Sequence, residues 1–165
     1  MQRFTTQLQE STADMDRLYM FIATGAYSGY LPKAPGTWGS AVGVLVWWVI
    51  RSLPLGAYWG IVGGLCVAGI ITAGAAEKIV DRGDPGIVVI DEIVGQLITL
   101  GFAPVHPGAA LAGFVLFRLF DILKPFPVDW VDQHIHGGIG IMLDDIVAGC
   151  YALTVLHVGL WILKI

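Results

Sequence analysis

Apolar residues in this chain come in long runs, not in the strict alternation of a half-buried strand, and the runs are divided by short passages rich in glycine, proline and charge. Residues 1–17, MQRFTTQLQESTADMDR, are polar and mixed in charge, without the apolar core of a signal peptide, and predict a cytoplasmic lead-in. Leu18 to Ala26 is apolar but too short to span a bilayer, which suits a helix lying at the interface. A turn-rich stretch, Gly29 to Ser40, leads into four or five apolar segments: Ser40 to Leu53, Leu55 to Ala76, Ile87 to Ala103, Gly108 to Leu123 and Ile146 to Leu163. Leu55 to Ala76 has clear spanning length, about 20 residues. The first, third and fourth are marginal and suit a tilted or half-inserted placement. Pro125 and Pro127 stop the fourth.

This pattern predicts an all-α fold, a polytopic membrane helical bundle forming a single domain over residues 1–165, with an interfacial N-terminal helix. Small residues recur four apart, at Gly39 and Gly43, at Gly60, Gly64 and Ala68, and at Ala109 and Gly113, a spacing that lets helices pack closely in lipid. Composition sharpens the picture: 56% of residues are hydrophobic and only 13% charged, too few to coat a soluble bundle. A net charge of −4 provides no basic field for nucleic acid. Cys66 and Cys150 stand alone in apolar stretches and read as small buried hydrophobes. No arginine follows Cys150 closely enough to cradle a phosphate.

Charge placement orients the bundle. With a cytoplasmic N-terminus and five spans, Arg3, Arg17, Lys33, Lys78, Arg82, Arg118 and Lys124 fall at or near the cytoplasmic face. Arg51 and Lys164 fall on the far side. The same orientation gathers Asp91, Glu92, Asp121, Asp144 and Asp145 from three separate segments onto the cytoplasmic face. Carboxylates at membrane depth are costly and repel one another unless a cation sits between them. Oxygen-only ligands favour a hard ion such as Mg²⁺. Asp91 precedes Gly95 by one turn and Asp145 precedes Gly149 by one turn, so close helix approach at those glycines would bring the acids together. A single acidic pair is equally well explained as a helix cap or first-turn acid; three clusters on one face favour the cation.

A second chemistry is anion binding. The loop LPKAPGTWGS opens a helix and offers backbone N–H groups, with Lys33 and Thr37 as candidate phosphate contacts. Gly137, Gly138 and Gly140 form a possible second cradle, although a plain turn accounts for either loop taken alone. Arg118, Asp121 and Lys124 lie three apart on one helical side, so the two cations suit either phosphate binding or snorkelling. The two-residue spacing of His134 and His136 argues against zinc. His136, beside the glycines, is the better candidate for proton transfer or phosphate contact, with a structural loop role equally open.

Four blocks, LPKAPGTWGS, DPGIVVIDEIVGQ, FRLFDILKPFP and HGGIGIMLDDIVAG, occur in an order that resembles the phosphatidylglycerophosphatase A family. The resemblance runs from about Gly25 to Ala152. It implies a bacterial inner-membrane, Mg²⁺-dependent lipid phosphatase that converts phosphatidylglycerophosphate to phosphatidylglycerol and inorganic phosphate. The matching acidic positions are Asp91, Glu92, Asp121, Asp144 and Asp145, and the matching basic ones Arg118 and Lys124. Direct attack by a cation-activated water is the expected route, and an aspartyl-phosphate intermediate the second. Rival readings are a small cation transporter with a carboxylate-lined site, a non-enzymatic membrane scaffold, and a CDP-alcohol phosphotransferase, whose spaced aspartate signature is absent.

Overall fold

The short segment carrying Asp91 and Glu92 becomes the centre of the molecule. In this computed structural model, which describes the backbone of residues 2–164 and the side chains of residues 12–164, regular structure is entirely helical among the described residues. The order is α1 (Gln2–Ala23), a 3₁₀ turn (Ser28–Tyr30), α2 (Pro35–Ile50), α3 (Leu55–Val80), α4 (Ile90–Thr99), α5 (Pro107–Leu123), α6 (Val128–His134) and α7 (Gly137–Leu163). The expected all-α bundle is what the chain forms.

Helix α4 is buried on nearly every face: Ile90, Ile93, Val94 and Leu97 lie in the core, and the polar Asp91, Gln96 and Thr99 are buried with them between the surrounding helices. A buried helix must find partners for its end groups. The Val89 N–H donates to the Ala23 carbonyl at 2.9 Å, tying the start of α4 to the end of α1. At the other end, the Tyr58 hydroxyl donates to the Leu97 carbonyl at 2.6 Å and the Trp47 indole to the Leu100 carbonyl at 2.9 Å. Thus α3 and α2 each cap α4 through one aromatic side chain.

Glycines set how closely the neighbours approach. A Cβ at Gly39 would lie 2.7 Å from Val89 Cβ, and one at Gly43 would lie 2.8 Å from Gln96 Cβ, so α2 rests on α4 along the expected small stripe. On α5, a Cβ at Gly113 would lie 2.5 Å from Leu100 Cδ2. The Gly60 and Gly64 stripe behaves differently: neither position has a neighbour within 4 Å among the described residues.

Among the described residues two helices are long and apolar enough to cross a membrane, α3 with 26 residues and α7 with 27. Of the four to five apolar segments expected, some short or half-inserted, these two have spanning length. At 1.5 Å per residue, the 16 residues of α2 reach about 24 Å and the 10 of α4 about 15 Å, against a hydrocarbon core of about 30 Å. Yet the outer faces are apolar throughout, with Leu45 and Val49 on α2, Val67 and Ile71 on α3, Leu111 and Val115 on α5, and Val155 and Trp161 on α7 all exposed. Apolar residues inside and outside together describe a membrane protein.

Several boundaries depart from the sequence expectation. The apolar stretch expected as an interfacial helix, Leu18 to Ala26, supplies the end of α1, which is helical from Gln2 and runs beside α3. The side chains of residues 1–11, Arg3 among them, lie outside the described residues. Proline at the first turn starts α2 earlier than expected. The polar passage before Gly137 folds into α6, and the Gly137 to Gly140 cluster opens α7 instead of forming a loop. Cys150 is exposed and Cys66 half-buried, so neither is the fully buried residue expected.

Candidate active site

Successive helices run in opposite directions, so one end of the bundle collects the start of α2, the end of α3, the start of α4, the end of α5 and the start of α7. Asp91 and Glu92 occupy the first turn of α4, where the helix dipole favours negative charge. Asp145 arrives from α7 because α4 and α7 touch through glycines: a Cβ at Gly149 would lie 2.6 Å from the Gly95 carbonyl oxygen. The expected approach one turn below the acids therefore occurs.

Carboxylate oxygens of Asp91, Glu92 and Asp145 lie within 4.8 Å of one another. At that separation each charged pair repels by roughly 3–4 kcal/mol at an effective dielectric of 20. Asp91 Oδ1 and Glu92 Oε2 are buried with no hydrogen-bond partner. Repelling oxygens with unused lone pairs are a donor set that fits a hard divalent cation.

The remaining charges divide into two groups. Arg118 forms an ion pair with Asp121 and stands 4.0 Å from Glu92 Oε1, while Asp121 itself lies beside Asp145. Lys124 sits just past the end of α5 with a left-handed backbone (φ 42°). From there its Nζ donates to Asp132 Oδ1 at 2.6 Å and to Asp144 Oδ2 at 2.9 Å. Burial works against the Lys124 ammonium, but its bonds to Asp132 and Asp144 outweigh that and raise its pKa. Arg118 and Asp121 thus share one side of α5, whereas Lys124, which spacing would put beside them, is set apart because the helix ends at Leu123.

The first glycine loop reaches this cluster. A Cβ at Gly36 would lie 2.2 Å from Glu92 Oε1 and 2.9 Å from Arg118 Nη1, so only glycine admits the pair there. Thr37 follows it, half-buried in the first turn of α2. Lys33 is exposed on the preceding turn, where Lys33 and Ala34 both take left-handed backbone (φ 63° and 51°), at about 1–2 kcal/mol each. The second glycine cluster packs instead: Cβ atoms at Gly138 and Gly140 would each lie 2.0 Å from a carbonyl oxygen, of Ile70 and Ile135 respectively.

Beside the triad lies a cavity of about 180 Å³ lined by Asp91, Asp144, His136 and three acids that sequence reasoning passed over, Glu77, Asp84 and Asp132. None of the three stands in an acidic pair at the mouth of an apolar run, which was the signal used; Asp84 does open the DPGIVVIDEIVGQ block. Burial pushes the Asp84 carboxyl up, and its backbone N–H donates to Glu77 Oε1 at 3.2 Å. His134 is occupied elsewhere, with its ring stacked on Trp130 and its Nδ1 2.8 Å from the Trp130 carbonyl.

Comparison with known proteins agrees with this layout. The family model described as phosphatidylglycerophosphatase A matches residues 21–160. The chain is 37% identical over 150 residues to the phosphatidylglycerophosphatase A of Escherichia coli (strain K12), covering 90% of this chain and 87% of that one. It is 38% identical over 145 residues to the Haemophilus influenzae protein of the same name, covering 86% and 89%. A Bacteroides thetaiotaomicron protein provisionally named a phosphatidylinositol-3-phosphatase is 36% identical over 154 residues, 88% of this chain and 96% of that one. No solved structure matches.

Proposed function

This chain belongs to the phosphatidylglycerophosphatase A family, and from that premise we propose how its acidic site acts and where it sits. The chain is a phosphoric monoester hydrolase that removes the terminal phosphate of phosphatidylglycerophosphate, giving phosphatidylglycerol and inorganic phosphate in phospholipid biosynthesis. The observation that carries the chemistry is the convergence of Asp91, Glu92 and Asp145, two of which hold buried, unpartnered oxygens.

These three would hold Mg²⁺, which when bound supplies positive charge to the phosphoryl oxygens and to the attacking water. Asp121 and Asp144 border that set, each tied to a cation of its own. Arg118, whose Nε has no partner, directs its remaining donor capacity at the phosphate. Lys124 keeps Asp144 and Asp132 in place, and its third proton is free to meet a phosphoryl oxygen. Lys33, the Gly36 N–H and the Thr37 hydroxyl add donors from the α2 start, the Thr37 N–H itself being bonded to the Ala34 carbonyl. Water attacks phosphorus and gives up one proton, its oxygen leaving with the inorganic phosphate, while the bond to the glycerol oxygen breaks and that oxygen takes up a proton. His136, which lines the cavity, would deliver it.

An open groove between α1, α3 and the start of α7 shares Glu77 and Gly137 with the cavity. Ile70, Ile71 and Ile79 give it apolar walls, and Tyr19 and Lys78 a polar edge, which suits a lipid whose headgroup turns into the cavity. Arg17, Lys33, Lys78, Arg82, Arg118 and Lys124 lie toward this end of the bundle and Arg51 toward the other, which supports a multi-pass inner-membrane protein with its site on the cytoplasmic face.

The provisional name of the Bacteroides relative makes an inositol headgroup the substrate to compare. The test is phosphate release by purified protein from phosphatidylglycerophosphate and from phosphatidylinositol 3-phosphate, with Mg²⁺ or with a chelator. Release from the first lipid, abolished by the chelator, is expected. Release only from the second would replace the substrate, and full activity in the chelator would remove the cation from the site.

A further inference from the structure

We propose that Gln96 is a positioning residue for the cation site: its side-chain amide donates to the Glu92 carboxylate and holds that ligand in place once the cation is bound. The proposal rests on the cation reading of the triad and extends it to a residue that belongs to neither the triad nor the cavity lining.

Gln96 is 0% exposed, and neither its Nε2 nor its Oε1 has a hydrogen-bond partner. The other buried uncharged polar side chains behave differently. Thr24, Ser40, Thr72 and Thr99 each donate a hydroxyl proton to the carbonyl one turn back, at 2.6, 2.9, 2.8 and 2.9 Å. An amide with both ends unpaired inside a helical bundle destabilises the fold. Methionine would fill the same space without that cost, so glutamine here points to a task other than stability.

The place of Gln96 indicates that task. It follows Glu92 by one helical turn, so the two share the face of α4 that meets α2. Glycines on α2 seat both. A Cβ at Gly39 would lie 3.3 Å from Glu92 Cβ, and one at Gly43 would lie 2.8 Å from Gln96 Cβ and 3.1 Å from its Cγ. Side chains on a helix lean toward its N-terminus, so the Gln96 amide reaches back over the turn that carries Glu92. That carboxylate has use for a donor. It offers about four lone-pair sites, and a cation bound at one oxygen leaves the rest. Arg118 Nη1 stands 4.0 Å from Oε1, beyond hydrogen-bonding distance. An amide N–H on a remaining lone pair fixes the ligand's orientation and, being neutral, does not repel the cation.

Mn²⁺ serves as the probe, with binding followed by electron paramagnetic resonance on purified full-length protein in lipid nanodiscs, beside thermal unfolding. Gln96→Met keeps nearly the same volume and removes the amide. It should weaken Mn²⁺ binding by about 10- to 100-fold while Tm stays level or rises. Wild-type Mn²⁺ affinity in the folded variant overturns the proposal, whatever its Tm, and leaves the triad standing. A second measurement needs no change at Gln96. With Gln2, Gln7, Gln9 and Gln133 replaced by asparagine, Gln96 is the one glutamine left, and its ¹⁵N-labelled side-chain amide can be observed alone by magnetic resonance. Mg²⁺ should shift that signal and slow its exchange with solvent. An unmoved signal in protein that binds the cation overturns the proposal. No bound Mn²⁺ in wild type overturns the cation site, and this proposal with it.

Discussion

Gly149→Ala is the sharpest test of how the site is assembled. The added Cβ would lie 2.6 Å from the Gly95 carbonyl oxygen and 3.2 Å from Gly95 C and Cα, where ordinary contact begins near 3.4 Å. All three are backbone atoms, so no side chain can swing away, and α7 must draw back from α4 by about 0.8 Å. Overpacking of this kind costs about 1–3 kcal/mol, against which alanine returns up to about 1 kcal/mol of helix propensity. The net stability loss is therefore modest. The site fares worse, since Asp91 and Asp145 lie one turn from the contact and move apart with the helices. A misplacement near 1 Å costs about a hundredfold in rate, so phosphate release from phosphatidylglycerophosphate should fall by about 10- to 100-fold while the protein remains folded. Gly60→Ala is the control, because no described residue lies within 4 Å of that position and activity should be unchanged. The assay is phosphate release beside thermal unfolding for both variants. Wild-type turnover in Gly149→Ala would refute the claim that the glycine contact sets the carboxylate geometry.

Three further outcomes are expected. Tyr58→Phe leaves the buried Leu97 carbonyl without its 2.6 Å donor and should cost about 1–3 kcal/mol in thermal or denaturant unfolding, with turnover of the folded fraction largely kept. Asp121→Asn removes the Arg118 partner beside Asp145, so turnover should drop by about tenfold or more and the Mg²⁺ concentration for half-activity should rise; an unchanged Mg²⁺ titration with only a lower Tm would make Asp121 a structural ion-pair partner. Cys66→Ala with Cys150→Ala should retain activity, since both are free thiols that belong to neither the triad nor the cavity lining, and in that background single cysteines placed in the 81–85 turn and the 126–136 segment should be labelled only from the cytoplasmic side.

The sequence alone determined the helical class, the apolar character of every long segment and the family, because periodicity, composition and four ordered blocks are local properties of the chain. It also determined that Asp91 and Asp145 each lie one turn from a glycine, which is a fact about helical spacing. What it did not determine was partnership. Lys124 looks like a neighbour of Asp121 by spacing, but α5 ends at Leu123, and the left-handed turn at Lys124 sends its ammonium to Asp132 and Asp144. Glu77, Asp84 and Asp132 look like ordinary turn acids until three separate elements enclose them in one cavity. Gly60 and Gly64 have the same spacing as Gly39 and Gly43, yet one stripe packs on α4 and the other faces outward. Spacing along a helix says which residues share a face. Only the packing of helices decides what that face meets, because contacts between distant segments depend on how closely their backbones approach and where each helix stops.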